Sequence, residues 1–228
     1  MIEQWRGWRR LGPAIGLALL AALPVAAQTG SDLSRLAQAV DAHYNGLKTL
    51  SAQFEESYQG GGLRRVERGT MRLAKPGRMR WEYSSPRSKL FVCDGHNAWF
   101  YVPGERQARH MAVKKLSDLR TPLLYLLGHT RLEKEFVGLS VATGEKPVAG
   151  GSVVLRGVPR AMADRVREVL LEIDGHNTIR RIAIEESDGA RTEFRFAALR
   201  ENEAIAAGEF AFAPPKGVEV LNAEGLAP

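Results

Sequence analysis

Between residues 32 and 50 the apolar side chains recur at a helical period. Leu33, Leu36, Ala37, Val40, Tyr44 and Leu47 fall on one stripe, which predicts a single amphipathic helix with one greasy face that needs a sheet to cover. Ser31 or Asp32 stands where it would cap the first free N–H groups. From Ser51 the period drops to two. Ala52, Phe54 and Tyr58 alternate with Gln53, Glu55 and Ser57, and Met79, Trp81 and Tyr83 with Arg78, Arg80 and Glu82. Leu90 and Val92 follow, then Ala98, Phe100 and Val102 against Trp99 and Tyr101. Gly60-Gly61-Gly62, Lys75-Pro76-Gly77, Ser85-Pro86, Asp94-Gly95 and Pro103-Gly104 separate the runs. Further strands are expected over 153–157, 166–173, 179–185 and 192–199, with turns at Asp174-Gly175 and Asp188-Gly189. Short strands with turn chemistry between them describe an antiparallel meander. Asp-Gly-His-Asn occurs at 94–97 and again at 174–177. Both copies read as hairpin turns, because Asp-Gly tolerates the positive φ such turns need.

One segment between the halves breaks the alternation. Thr121-Pro122-Leu123-Leu124-Tyr125-Leu126-Leu127-Gly128 has Thr where an N-cap belongs, Pro at the first helical position and Gly past the end, the signals of a short helix. It is apolar all round, so it is either buried in the sheet's concavity or lines a cavity for a greasy ligand.

The first 27 residues are set apart from the fold. Residues 1–10 are basic, residues 11–23 are apolar, and Val25-Ala26-Ala27 offers small residues for cleavage before Gln28. That is the pattern of a secretory signal peptide, too short to span a membrane. The remaining 201 of 228 residues suit one domain, 28–228. With 29 basic and 25 acidic residues this part carries a net charge of +4. Its basic residues are scattered and no nucleic-acid motif is present, so nucleic acid is not an expected partner. Cys93 is the only cysteine and lies far from the cleavage site. No internal disulfide can form, and a soluble periplasmic monomer is expected.

Catalytic and metal signatures are missing. Cys93 and His96 flank one tight turn, where a buried thiol and a turn histidine are expected rather than a nucleophile and its base. His43, His96, His110, His129 and His176 show no metal-binding spacing. Glu55-Glu56 and Glu185-Glu186 each put one carboxylate on either face of a strand. There is no GxSxG, P-loop or GxGxxG. No enzyme activity, metal or cofactor is expected.

Four blocks in order then resemble one family. Gly69-Thr70-Met71-Arg72-Leu73-Ala74-Lys75-Pro76-Gly77-Arg78-Met79-Arg80-Trp81-Glu82-Tyr83 is similar to the K-P-x-x-x-x-W hairpin of the LolA family of periplasmic lipoprotein carriers. The block from Val92 to Pro103 resembles its D-G-x-x-x-W-x-Y-x-P strand pair, 121–128 its central helix, and the block from Glu209 to Val220 its closing F-x-F-x-P-P-x-G-V. The resemblance implies a mainly β fold with some α: an incomplete antiparallel β-barrel of about eleven strands, with helices forming a lid over an apolar cavity. It implies a carrier that takes lipoproteins by their acyl chains from an inner-membrane lipoprotein-releasing ABC transporter to an outer-membrane receptor lipoprotein. It also implies a lid latch at Lys75, where the family often has arginine, and a transporter or receptor contact at Met79. Lysine keeps the charge but loses the multi-donor fork. Two other readings share the fold: a shuttle for another lipid or glycolipid, and a lipoprotein-sensing regulatory domain.

Such cargo needs a dry surface. At ~0.8 kcal/mol per buried CH₂, a chain of roughly 15 methylenes costs on the order of 12 kcal/mol to hold in water. The candidates for an inner wall left unfilled by the protein itself are Phe54, Trp81, Tyr83, Phe91 and Trp99 on strands, with Leu123, Leu124, Leu126 and Leu127 on the helix. Whether Trp99 or Phe100 faces inward depends on register.

Overall fold

The computed structural model describes residues 25–114, 122–128 and 131–223. Most of the expected export signal, residues 1–24, lies outside them, as do the expected N-cap Thr121 and His129.

Helix α1 (Val25–Gly46) precedes β1 (Thr49–Gly60), β2 (Leu63–Ala74), β3 (Arg78–Ser85), β4 (Lys89–Cys93), β5 (Asn97–Tyr101) and β6 (Gln107–Ala112). A 3₁₀ helix (Pro122–Leu127) and the one-turn α2 (Leu132–Glu135) follow. Then come β7 (Phe136–Val141), β8 (Val153–Pro159), β9 (Val166–Ile173), β10 (Ile179–Glu186), β11 (Arg191–Glu201) and β12 (Glu219–Asn222). All twelve strands form one sheet in the order β12-β6-β5-β4-β3-β2-β1-β11-β10-β9-β8-β7. The barrel is incomplete, with β7 and β12 as its two edges. It has one strand more than expected, and the β12–β6 pair is parallel rather than antiparallel.

The sheet curls between β11 and β3. These strands are three positions apart, a distance of about 14 Å in a flat sheet. Yet the ring of Trp81 on β3 lies only 5.8 Å from that of Phe194 on β11. Gly69, on β2 between them, makes the bend possible. A β-carbon there would meet the Glu82 carbonyl oxygen at 2.0 Å and the Phe54 ring at 2.9 Å, and the register shifts between Arg68 and Gly69.

The first helix departs from its expected bounds at both ends. It runs through Ser31 and Asp32, so neither caps it, and Asp32 instead pairs with Arg35 one turn on. It stops at Gly46 rather than reaching residue 50. Leu47 and Leu50 stay buried, which is why the stripe reads on past the helix. Asn202 draws the chain out there: its side chain accepts from the Lys48 N–H at 2.8 Å and its own N–H donates to the Thr49 carbonyl at 2.9 Å.

Two straps cover the outer face. From β11 the chain crosses β3, burying Phe210, whose ring lies under the Arg78 guanidinium at 5.3 Å. Arg80 donates to the Glu209 carbonyl at 3.0 Å. The loop 142–152 covers β8 to β10, where Ala142, Val154, Leu170 and Ala183 form a small second core. Beneath it, Glu172 accepts from the N–H groups of Val148 and Ala149 at 2.9 and 2.8 Å and from Arg181 Nε at 2.8 Å.

Candidate ligand-binding face beneath the lid

Strand parity selects the inner wall. Leu50, Ala52 and Phe54 on β1 and Met71 and Leu73 on β2 point inward, as do Met79, Trp81 and Tyr83 on β3 and Phe91 and Cys93 on β4. Across the curl, Phe194 and Phe196 meet them from β11. Phe54 lies edge-on to Trp81 and to Tyr83, both at 4.9 Å. Aromatic pairs of this geometry add stability beyond the area they bury.

The lid rests directly on this wall. Ala37, Val40 and Tyr44 of α1 are buried in the same core as Leu123, Tyr125, Leu126 and Leu127 of the 3₁₀ helix, with Leu124 half-buried against it. The Asp41 carboxylate accepts from the Leu132 N–H at 3.1 Å, tying α1 to the start of α2. Among the described residues the wall and the lid pack closely where Leu126 and Leu127 meet Leu50 and Leu73. The gap bordered by Leu47, Leu50, Leu73, Leu126 and Leu127 measures about 10 Å³, room for about one water and not for a fatty chain. The leucines occupy the space because an apolar turn in a curved sheet gains most by complete burial.

Lys75, at the end of β2, points its ammonium at the last turn of α1. Its Nζ donates to the Tyr44 carbonyl at 2.7 Å and the Asn45 carbonyl at 2.8 Å. Helix C-terminal carbonyls lack intrahelical partners and carry the negative end of the dipole, so a cation there is favourable. Burial lowers the Lys75 pKa below the usual lysine value. Gly128 permits the contact. It has φ +69°, and a β-carbon would lie 2.5 Å from the Tyr44 carbonyl oxygen and 2.7 Å from Lys75 Nζ. Lys75→Met should lower unfolding free energy in urea by about 1–2 kcal/mol and raise binding of a hydrophobic dye, while Lys75→Arg should restore both.

Met79 and Trp99 lie elsewhere than expected for their roles. Met79 is 1% exposed on the inner wall, so in this conformation it offers no surface to a partner. Trp99 pairs in register with Val92 and His110 on the outer face. It packs on His110 at 4.4 Å and on Phe212 of the C-terminal crossing at 5.7 Å. Phe100 is the residue of β5 that packs against the inner core. Trp99 is therefore removed from the inner wall: its indole is half-covered by the returning chain.

The end of the wall away from Lys75 is polar. Glu56 and Glu67 are cross-strand neighbours, both buried on the inner face. Tyr83 donates to Glu56 at 2.6 Å, Lys89 to Glu67 at 2.6 Å, and Arg65 Nε lies 2.8 Å from Glu67. The Lys89 ammonium sits 4.1 Å from the Tyr83 ring centre. Burial raises the Glu56 carboxyl above its ordinary range, opposed by the Tyr83 hydrogen bond. Taken along one strand, Glu55-Glu56 shows only two carboxylates on opposite faces, which hides this group. Parity with Phe54, Met71 and Phe91 would have placed Glu56, Glu67 and Lys89 together.

The Cys93 side chain is fully buried, and burial pushes its thiol pKa up. Both Asp-Gly-His-Asn turns are closed by their aspartate: Asp94 accepts from the N–H of His96 at 2.7 Å, and Asp174 from that of His176 at 2.9 Å. Among the described residues no cluster of His, Cys, Asp and Glu could hold a metal ion, and no helix is long and apolar enough to cross a membrane.

A curved sheet with an apolar inner face under a helical lid defines the class of open-barrel binding proteins. The family model described as outer membrane lipoprotein carrier protein LolA matches residues 45–213, and the chain belongs to that family. A relative named outer-membrane lipoprotein carrier protein, from Chromobacterium violaceum, is 28% identical over 212 residues, covering 93% of this chain and 99% of the relative. One of the same name from Dechloromonas aromatica is 29% identical over 208 residues, covering 88% and 92%. An uncharacterized conserved protein from Thermus thermophilus shares the fold, with a TM-score of 0.54 at 11% identity over 84% of this chain and 99% of that one. A LolA superfamily protein from Nitrosomonas europaea gives a TM-score of 0.44 at 10% identity over 79% and 97%.

Proposed function

We propose that this protein is a periplasmic carrier that shelters the acyl chains of lipoproteins on its inner wall. It receives them from an inner-membrane ABC transporter and delivers them to an outer-membrane receptor lipoprotein. The observation that carries the reading is the 3₁₀ helix itself, whose buried leucines fill the wall as a guest's hydrocarbon would. If this segment leaves the wall and returns to it, every methylene it uncovers can be covered again by a methylene of cargo. Because each CH₂ is worth ~0.8 kcal/mol in either case, the exchange is close to balanced, which suits a carrier that must also release. The names of the relatives support the same cargo. Lys75, holding the α1 carbonyls, is the latch in this scheme. Met79 becomes reachable by a partner only once the lid has lifted.

The test is made in cells and on the purified protein. Depletion should trap lipoproteins in the inner membrane, and mass spectrometry of protein taken from periplasm should detect bound acylated species. An unchanged lipoprotein distribution together with an empty protein would refute the proposal. A bound glycolipid would replace it with a shuttle for that lipid.

A further inference from the structure

The indole of Trp81 is fully buried, and its Nε1–H has no acceptor among the described residues. By comparison, the Tyr44 hydroxyl on α1 accepts from the Ile179 N–H at 2.9 Å, and Tyr83 on the wall donates to Glu56 at 2.6 Å. Buried donors are nearly always paired, and an unpaired one is destabilising. Phenylalanine would fill an apolar wall without that penalty. The rings around Trp81 are Phe54, Phe194 and Phe196, at 4.9, 5.8 and 6.4 Å.

The position of this orphan donor along the barrel gives it a use. Toward the lid, the inner wall next to Trp81 is carbon and sulfur at Met79 and Leu73, and the lid's Leu126 and Leu127 lie beyond. Two residues the other way along β3, about 7 Å on, the wall becomes polar at Tyr83, Glu56, Glu67 and Lys89. Trp81 stands at the border. An acylated molecule has the same order of parts: hydrocarbon, then a carbonyl, then a polar body.

We propose that the Trp81 Nε1–H donates to an acyl carbonyl of the bound lipid. The carbonyl thereby fixes how deep the chains sit, with hydrocarbon toward the lid and the polar part toward Tyr83 and Lys89. The assignment rests on the carrier reading and specifies its ligand as an acyl ester or amide.

The probes are a cysteinyl lipopeptide with two ester-linked palmitoyl chains and its dialkyl ether analogue, titrated calorimetrically into the wild type and Trp81→Phe. The wild type should prefer the ester about three- to tenfold, the range of one net hydrogen bond, and Trp81→Phe should bind both at the ether level. In ¹⁵N-tryptophan-labelled protein the Trp81 indole resonance should shift with the ester and not with the ether. A benzothiophene analogue of tryptophan at position 81, isosteric but without the N–H, should behave as Trp81→Phe does and covers the case in which the phenylalanine variant misfolds. An ether lipopeptide carrying one amide-linked chain tells the two carbonyl sources apart: regained preference assigns the amide, and no gain assigns the ester. Equal binding of ester and ether by the wild type, or a preference that survives loss of the N–H, overturns the inference and leaves the carrier reading standing. Failure of the wild type to bind either lipopeptide overturns the carrier reading as well.

Discussion

Truncating Leu126 to alanine should tighten the binding of an acyl lipopeptide while making the empty protein less stable. Leu126 is 2% exposed, wedged between α1 and the inner wall. Removing a buried leucine side chain costs about 2–5 kcal/mol. In the carrier scheme that cost falls on the shut state alone, because loading displaces the 3₁₀ helix. Apparent affinity is the intrinsic affinity reduced by the fraction of protein open, and each 1.4 kcal/mol shifts it tenfold. The expected result is a Kd lower by about tenfold or more, with a lower thermal midpoint for the empty form. Calorimetry and a melting curve read both. Weaker binding would instead make Leu126 part of the wall that touches cargo, and the helix would not be its competitor.

The second large effect lies on the outer face. Arg181 is 5% exposed and bridges two buried carboxylates, Glu172 at 2.8 Å and Glu193 at 3.5 Å. Arg191 and Arg195 also hold Glu193, at 3.1 and 2.7 Å. Glu172, with no exposure, is left with only the Val148 and Ala149 N–H groups if Arg181 goes. Arg181→Met should therefore cost about 3–5 kcal/mol, the penalty for stranding a buried charge, measured by urea unfolding. Combining it with Glu172→Gln removes the charge and keeps an oxygen for the loop, and should recover most of the loss. A single variant as stable as the wild type would show that the Arg181–Glu172 pair does not hold the fold together.

Much of this architecture is legible in periodicity, and the failures share one cause. The strand expected over 166–173 has the bounds the structure gives β9. The stripe from Leu33 to Leu47 is the buried side of α1 and of the residue that follows it. Asp-Gly marks both hairpin turns because the aspartate closes them locally. By contrast β7 and β12 are edge strands with a ladder on one side, and β6 beside β12 has a mixed polar sequence, so no clean alternation records them. Trp99 faces outward, against expectation, for a related reason. Both Trp99 and Phe100 are large and apolar, and what decides between them is Phe212, more than a hundred residues away, covering the outer side. Glu56, Glu67 and Lys89 stay hidden in the sequence because charge is normally read as exposure. That the leucines of the 3₁₀ helix lie buried against the inner wall is likewise not a property of any local stretch. It depends on how tightly Gly69 lets β2 bend.

The two unpaired borders, β7 and β12, set how this molecule can change its girth. A cylinder whose strands all pair around the ring must sacrifice ladder hydrogen bonds to widen. A sheet with a lengthwise seam can relax its curvature with every rung intact, as a rolled page loosens without tearing. The outer straps lie over different parts of the sheet, one at Phe210 over β3 and the other at residues 142–152 over β8 to β10. In the carrier scheme, capacity would vary through curvature about the glycine crease at Gly69, with the backbone ladders unchanged.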